Sequence, residues 1–364
     1  MTENYIYLPE IIIDSHCHAR DFRQSYKTTV MQTLKEAKKG LITISALMPN
    51  TDPPIISLEV LSDYSKLIVA AENELDLPRQ YVWFGVVDGN LKECEEALRL
   101  PFVVGLKIYP KKKKGQSVTT GIIGVTEEET IPEAMRLVKK YGKALAIHCD
   151  DPDIILKKGY VIEAEVEYVR KIIRYAQIVP GVKIIICHVS CVESASLILW
   201  AQREHHMKIA IELCPHYLWF DSEKTNWNPN FDPVYYKCFN NLRPARHRKY
   251  LISLLKLNNR LIIIGSDNAP HTREEKMEKG LGGLPTNHEM VAVICALAKQ
   301  NKIPDGRVAQ LLSYNLSDIL EIPVSRKTKK YRLEKMTDDI QYNNGKVLNP
   351  WNGSELLFPV KIEG

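Results

Sequence analysis

The 364-residue sequence contains no apolar run near the roughly 18 residues a membrane-crossing helix needs, so no such helix is expected. Its N-terminus lacks a basic stretch followed by an apolar one, so no secretory leader is expected either. There is no CxxC pair: Cys17, Cys94, Cys149, Cys187, Cys191, Cys214, Cys238 and Cys295 are scattered. Cys17, Cys149 and Cys187 each stand beside a histidine in an apolar run. Neighbours in a strand point to opposite faces, so these three read as small buried thiols rather than disulfides or metal ligands, in keeping with a reducing cytoplasm. No stripe of Lys and Arg with interleaved aromatics argues for nucleic acid. The net charge of +5 is mild and compatible with small anionic substrates. Neither an internal repeat nor a low-complexity tract is visible.

Hydrophobic residues make up 45% of the chain, enough for a sizeable core. Short β-branched runs predict strands at Ile11–Ser15, Leu41–Ala46, Tyr81–Val87, Phe102–Ile108, Ala144–Ile147, Lys183–Cys187, Lys208–Leu213 and Leu261–Gly265. Amphipathic stretches between most of them predict helices at Thr28–Lys39, Ser57–Glu74, Leu91–Leu100, Glu128–Tyr141, Ile162–Ala176, Val192–His205 and Arg246–Leu257. The alternation predicts an α/β fold, a (β/α)8 TIM barrel over residues 1–322. A helical pair is expected in Pro304–Leu320. Residues 323–364 read as a short C-terminal extension packing on the barrel, with a basic run at Arg326–Arg332 and a strand-like end, LLFPVKIE. Trp219–Arg243 reads as a long loop after the seventh strand, and loops of that length inside a compact domain are usually functional.

In such barrels the reactive groups collect where strands end. The segment IIIDSHCHAR places His16, His18 and Arg20 at alternate positions of an extended chain, on one face. Lys107 ends the fourth strand in GLKIYP, His148 the fifth in AIHCDD, His188 the sixth in IICHVS and Asp267 the eighth in GSDNAPH. HxH alone is common, but four histidines, a lysine and an aspartate from five strand ends are not. Neutral imidazoles and a carboxylate suit a divalent metal such as zinc, and six groups suit two metals better than one. Lysine is no ordinary ligand, because its ammonium repels cations. Carboxylated by carbon dioxide, it becomes an anionic carbamate that can bridge two ions. The competing reading is a snorkelling or ion-paired lysine.

With DSHCHAR, MPN, GLKIYP, AIHCD, CHVS, CPHYL, NNLRP and GSDNAPH in place, the chain resembles the dihydroorotases of the zinc amidohydrolase superfamily over nearly its whole length. The resemblance implies two Zn(2+) per subunit bridged by N6-carboxylated Lys107. His16, His18 and Asp267 would hold the more buried ion, and His148 and His188 the other. A metal-bridging hydroxide would be the nucleophile and Asp267 the general acid/base. The implied reaction is the reversible cyclisation of N-carbamoyl-L-aspartate to L-dihydroorotate in pyrimidine biosynthesis, in the cytoplasm. A homodimer and association with aspartate transcarbamoylase are further implications. The alternatives are a hydantoinase- or dihydropyrimidinase-like cyclic amidase and a non-catalytic homologue partnering aspartate transcarbamoylase.

Substrate choice turns on other residues. Arg20 can clamp a ring carboxylate bidentately, unless it pairs with Asp21 or another carboxylate. Asn50 can add a neutral donor, unless it is only a turn residue before Thr51-Asp52-Pro53. The resemblance implies His271 as a third carboxylate contact, the Phe239 backbone as a ring contact, and Arg243 as a contact or support; His216 is expected near the site but not as a ligand. The early barrel start and the NPWNGSELLFPVKIE ending resemble the short bacterial type, whereas CPHYL and NNLRP resemble the longer type. In the short type the loop here carries two threonines that close over the substrate, making Thr119 and Thr120 the lid candidates in Lys111–Gly124. Lys111–Lys114 itself reads as a solvated charge run.

Overall fold

A computed structural model describes residues 4–111, 123–126, 128–335 and 339–362. Its strands are β1 (Tyr5–Pro9), β2 (Ile13–Cys17), β3 (Ile44–Leu47), β4 (Tyr81–Gly85), β5 (Val103–Ile108), β6 (Ala144–Ile147), β7 (Lys183–Ile186), β8 (Ile209–Leu213), β9 (Ile262–Ile264), β10 (Thr328–Lys335) and β11 (Leu357–Lys361). Strands β2 to β9 form one parallel sheet in sequence order, with helices between most of them: the (β/α)8 barrel. Each barrel strand is buried on both faces, which is why its sequence is an apolar run rather than an alternation. Ile13, Trp83, Ile185 and Ile263 fill the inside, while a second apolar layer lies between strands and helices. Gly105 lets β5 and β6 approach: a Cβ there would lie 1.9 Å from the Ala144 carbonyl oxygen. The seam between β9 and β2 is stitched by side chains and by a backbone bridge at Asn268. Asp14 accepts from Ser266 N at 2.7 Å and from Ser266 Oγ at 2.5 Å, and His18 N donates to Asn268 O at 2.9 Å.

Several boundaries move for identifiable reasons. The first barrel helix is Val30–Lys39, not Thr28–Lys39, because Thr29 is its N-cap, in a reciprocal capping box with Gln32. Pro304–Leu320 is not a pair but one helical run over Asp305–Leu320, with a π-helical stretch at Gln310–Tyr314. The helix Met290–Asn301 carries no amphipathic signature, since every residue from Met290 to Ala298 is buried. The basic run belongs to β10, where Tyr331 and Leu333 are buried and the lysines face out. This strand pairs antiparallel with both β1 and β11, so the two ends of the chain share one small sheet. The long loop after β8 is held by Asp221, which accepts from Glu223 N and Thr225 N at 3.0 Å and from Arg248 Nε at 2.9 Å.

Glu289 ties the C-terminal segment to this frame. Fully buried, it accepts from Tyr342 OH at 2.6 Å and Asn349 Nδ2 at 3.1 Å. Burial pushes its pKa up to about 8, against those hydrogen bonds. Between about pH 4.5 and pH 8 the folded state therefore holds a proton that the unfolded chain releases. The stability this group contributes is present at low pH and is lost as pH rises through that window, on the order of 5 kcal/mol in all. Glu289→Gln removes the titration, so its melting temperature relative to wild type is expected to rise between pH 5 and pH 8.5. Thermal melts with a pH-independent difference would refute this.

Candidate metal and substrate site

Two groups of donor atoms meet at the strand ends. His16 Nε2 and His18 Nε2 lie 3.1 Å apart, and each is 3.3 Å from Asp267 Oδ1. Across from them His148 Nδ1 faces His188 Nε2 at 2.8 Å. The His16 and His188 rings are 5.5 Å apart, which joins the two groups into one site. Lys107 is fully buried at the end of β5, its Nζ 2.8 Å from Cys187 Sγ and 5.0 Å from the centre of the Tyr109 ring. Both His188 and Asp267 have positive φ, 38° and 45°. For residues other than glycine that backbone is uncommon, and here it turns the side chains inward as the strands stop.

Burial disfavours the protonated form at two of these histidines, His18 and His188. Burial lowers the pKa of His18 to about 3 and that of His188 well below the usual histidine range. For His16 burial also opposes the charge, but Glu212 and Asp267 outweigh it and raise its pKa to about 10. Asp267 is held well below the usual carboxylate range: burial opposes this, and the surrounding imidazoles, His16 first, overcome it. Four imidazoles and one ionised carboxylate aimed at a shared space fit the chemistry of a divalent metal site. His16, His18 and Asp267 alone bring three donor atoms within 4.8 Å of one another.

His16 and His18 are hydrogen-bonded from behind, and acids also stand beside His148 and the His188 backbone. Asn50 Oδ1 hydrogen-bonds His18 Nδ1, leaving Nε2 to face the site. Asp150 Oδ2 lies 2.8 Å from His148 Nε2, at ion-pair distance but without the alignment of a hydrogen bond. Glu212, fully buried, serves two ligand strands: it receives His16 Nδ1 at 2.8 Å, the backbone N–H of His188 at 3.0 Å and Ser15 Oγ at 2.5 Å. Gly265 makes room for it, since a Cβ there would come within 2.6 Å of Glu212 Oε1. Glu212 and Asp150 were not singled out in the sequence, although an acid inside the apolar strand IAIELC is a signal. Cys187 does not face away from His188 as expected. Its side chain lies inside the barrel beside Lys107, in alternation with Ile185, and it is His188, at its positive φ, that breaks the alternation and also turns inward.

A cleft of about 290 Å³ opens over these groups, lined among others by Arg20, Asn50, Tyr109, Phe239 and His271. Arg20 is buried and donates from Nη1 to Asn50 O at 3.1 Å. Its Nε has no partner, and among the described residues it makes no ion pair. Asp21 is engaged elsewhere, accepting from Phe22 N and Val30 N. Tyr109 also brings a buried hydroxyl without a partner.

No protein-family model matches the chain. It is 30% identical over 293 residues to a dihydroorotase of Thermococcus kodakarensis, covering 80% of this chain and 63% of that protein. The crystal structure of a Saccharomyces cerevisiae dihydroorotase in complex with 5-fluoroorotic acid shares its fold with a TM-score of 0.80, at 18% identity, over 99% of this chain and 100% of that one. The chain is similar to the dihydroorotases in sequence and in fold. An allantoinase of Enterococcus faecalis is also similar, 28% identical over 286 residues, covering 73% of this chain and 60% of that protein. The chain thus spans under two thirds of the length of some of these curated relatives.

The remaining predicted residues sit as follows. His271 lines the cleft, with Nδ1 3.3 Å from Glu275 Oε2. Phe239 also lines it and stacks on Tyr160 at 4.4 Å. Arg243 is set back from the wall: its Nε donates to Ser190 Oγ at 2.9 Å and its Nη1 to Tyr160 O at 2.6 Å, bracing the loop behind β7. His216 is buried, 3.8 Å from Asp267 Oδ2. Thr119 and Thr120 lie outside the described residues.

Proposed function

We propose that this chain is a dihydroorotase, closing N-carbamoyl-L-aspartate to L-dihydroorotate with loss of water and reopening the ring by hydrolysis. The observation that carries the substrate choice is Arg20, a buried guanidinium with a free Nε and no ion-pair partner among the described residues, in the wall of the cleft. A buried cation without a counter-ion is costly, and a ligand carboxylate supplies one. Asn50 spends Oδ1 on His18 and has Nδ2 left to donate.

His16, His18 and Asp267 would hold one zinc ion, His148 and His188 a second, with Lys107 carboxylated on Nζ between them. When bound, such ions lower the pKa of a water molecule and polarise a carbonyl. Asp267 is the proton carrier: ionised, at the mouth of the histidine group, it takes the proton of the attacking water on a carboxylate oxygen and returns it to the leaving ring nitrogen. In ring closure the same oxygens work in reverse. Arg20, Asn50 and His271 hold the carboxylate, which fixes the ring carbonyl at the metal end of the cleft.

The similarity to an allantoinase keeps open a second reading, a cyclic amidase of rings without a carboxylate. Arg20→Met separates the two. Losing one charge-assisted contact is worth about 1.5–3 kcal/mol, so KM for dihydroorotate is expected to rise roughly 10- to 150-fold. Activity on dihydrouracil or hydantoin, if any, should be unchanged. Wild-type enzyme reconstituted with zinc and inactive on both dihydroorotate and N-carbamoyl-aspartate would overturn the proposal.

A further inference from the structure

One cluster in the cleft is left over by this scheme. Behind His271 lies a buried ion pair, with Lys27 Nζ 2.9 Å from Glu275 Oε1 and both side chains only 6% exposed. Tyr26 OH donates to the same Glu275 oxygen at 2.7 Å. Glu275 is fixed by its own backbone as the third residue of a capping box with Thr272. Lys27 reaches past it: its Nζ is 3.4 Å from His271 Nδ1, and its side chain lines the cleft beside Arg20 and His271.

Two partners thus compete for one nitrogen. Glu275 can only accept from His271 Nδ1, which would put the proton there and leave Nε2 a bare acceptor. Lys27 can only donate to Nδ1, which puts the proton on Nε2. Burial holds the pKa of His271 down to about 4, with Arg20 and Lys27 adding to the effect and Glu275 opposing it, so the ring is neutral and its tautomer matters. A carboxylate in the cleft needs a donor.

We propose that Lys27 is a positioning residue for the ligand carboxylate, donating to His271 Nδ1 so that Nε2–H faces the ligand, with its own charge adding to that of Arg20. Glu275 partly neutralises Lys27 and competes with it for His271 Nδ1, leaving this corner of the cleft one net positive charge for one carboxylate. Lys27 stands seven residues after Arg20, on the loop before the first barrel helix, where no strand or helix period would pick it out. The inference rests on the dihydroorotase reading.

The test uses the zinc-loaded full chain and opposite expected signs. Lys27→Met should raise KM for dihydroorotate about tenfold or more with kcat little changed, and Lys27→Arg should restore part of the loss. Glu275→Gln should leave KM at or below the wild-type value, because the anion next to the carboxylate is gone and Lys27 is free to donate. A merely structural ion pair predicts the same damage from either side, so equal rises in KM in both variants would overturn the proposal. So would 15N spectra showing the His271 proton on Nδ1 in the complex with orotate. Should Lys27→Met not fold, Glu275→Gln and the spectra still decide. A wild-type enzyme that turns over no dihydroorotate sinks the functional reading itself; normal wild-type turnover with unchanged KM in Lys27→Met sinks this inference alone.

Discussion

Asp267→Asn should reduce dihydroorotate turnover by roughly three orders of magnitude or more while leaving the fold intact. Proton transfer by a placed carboxylate contributes about 10²–10⁴-fold, and here the same group is one of three donors within 4.8 Å of one another. The substitution is nearly isosteric, so packing is preserved. It removes the charge that His16, His188 and His216 all sense. Metal content, measured alongside turnover, separates the two roles. At saturating zinc the loss from proton transfer alone should persist, with KM little changed because Arg20, Asn50 and His271 are untouched. Turnover within tenfold of wild type at full metal occupancy would show that another group carries the proton. His216, 3.8 Å from Asp267 Oδ2, would then be the first to examine.

The parts of this site that are legible in the sequence share one property: they stand where an apolar run stops. His16, His18, Lys107, His148, His188 and Asp267 each close a strand, and a parallel barrel gathers strand ends whatever the helices do. That is why moving helix boundaries, as at Thr29, leaves the site unaffected. What the sequence conceals depends on local backbone or on long-range pairing. The inward turn of His188, on the same side as its neighbour Cys187, goes with its positive φ, which no periodicity announces. Lys27 and Glu275 are separated by 248 positions and meet only through the fold. Helix Met290–Asn301 is apolar on all sides and so has no period to detect. Glu212 is the instructive case: it lies inside β8, one residue before its end, where an acid reads as an exception to a strand rather than as part of a site.

Glu212→Ala should accordingly be among the most damaging substitutions outside the proposed ligand set. It would leave His16 Nδ1 and the His188 N–H buried without an acceptor, and Ser15 Oγ with only the Ile264 carbonyl at 3.3 Å. Removing one member of a buried hydrogen-bonded charge pair costs about 3–5 kcal/mol, and denaturant melts should show a loss of that order. Glu212→Gln isolates the functional part. It keeps the volume beside Gly265, where a Cβ would already be too close, and it can still accept on one oxygen. It cannot serve His16 and Ser15 as the carboxylate does, and it no longer makes His16 more basic. Loss of a carboxylate behind a metal-binding histidine typically costs 10–100-fold in metal affinity or activity. The expected signature is therefore weaker zinc binding by competition with a chelator, with KM for dihydroorotate little changed once zinc is saturating. Wild-type zinc affinity in Glu212→Gln would mean that Glu212 stabilises the barrel without tuning its ligands. Equal loss in Glu212→Gln and Glu212→Ala would mean that charge, not volume, is what this position supplies.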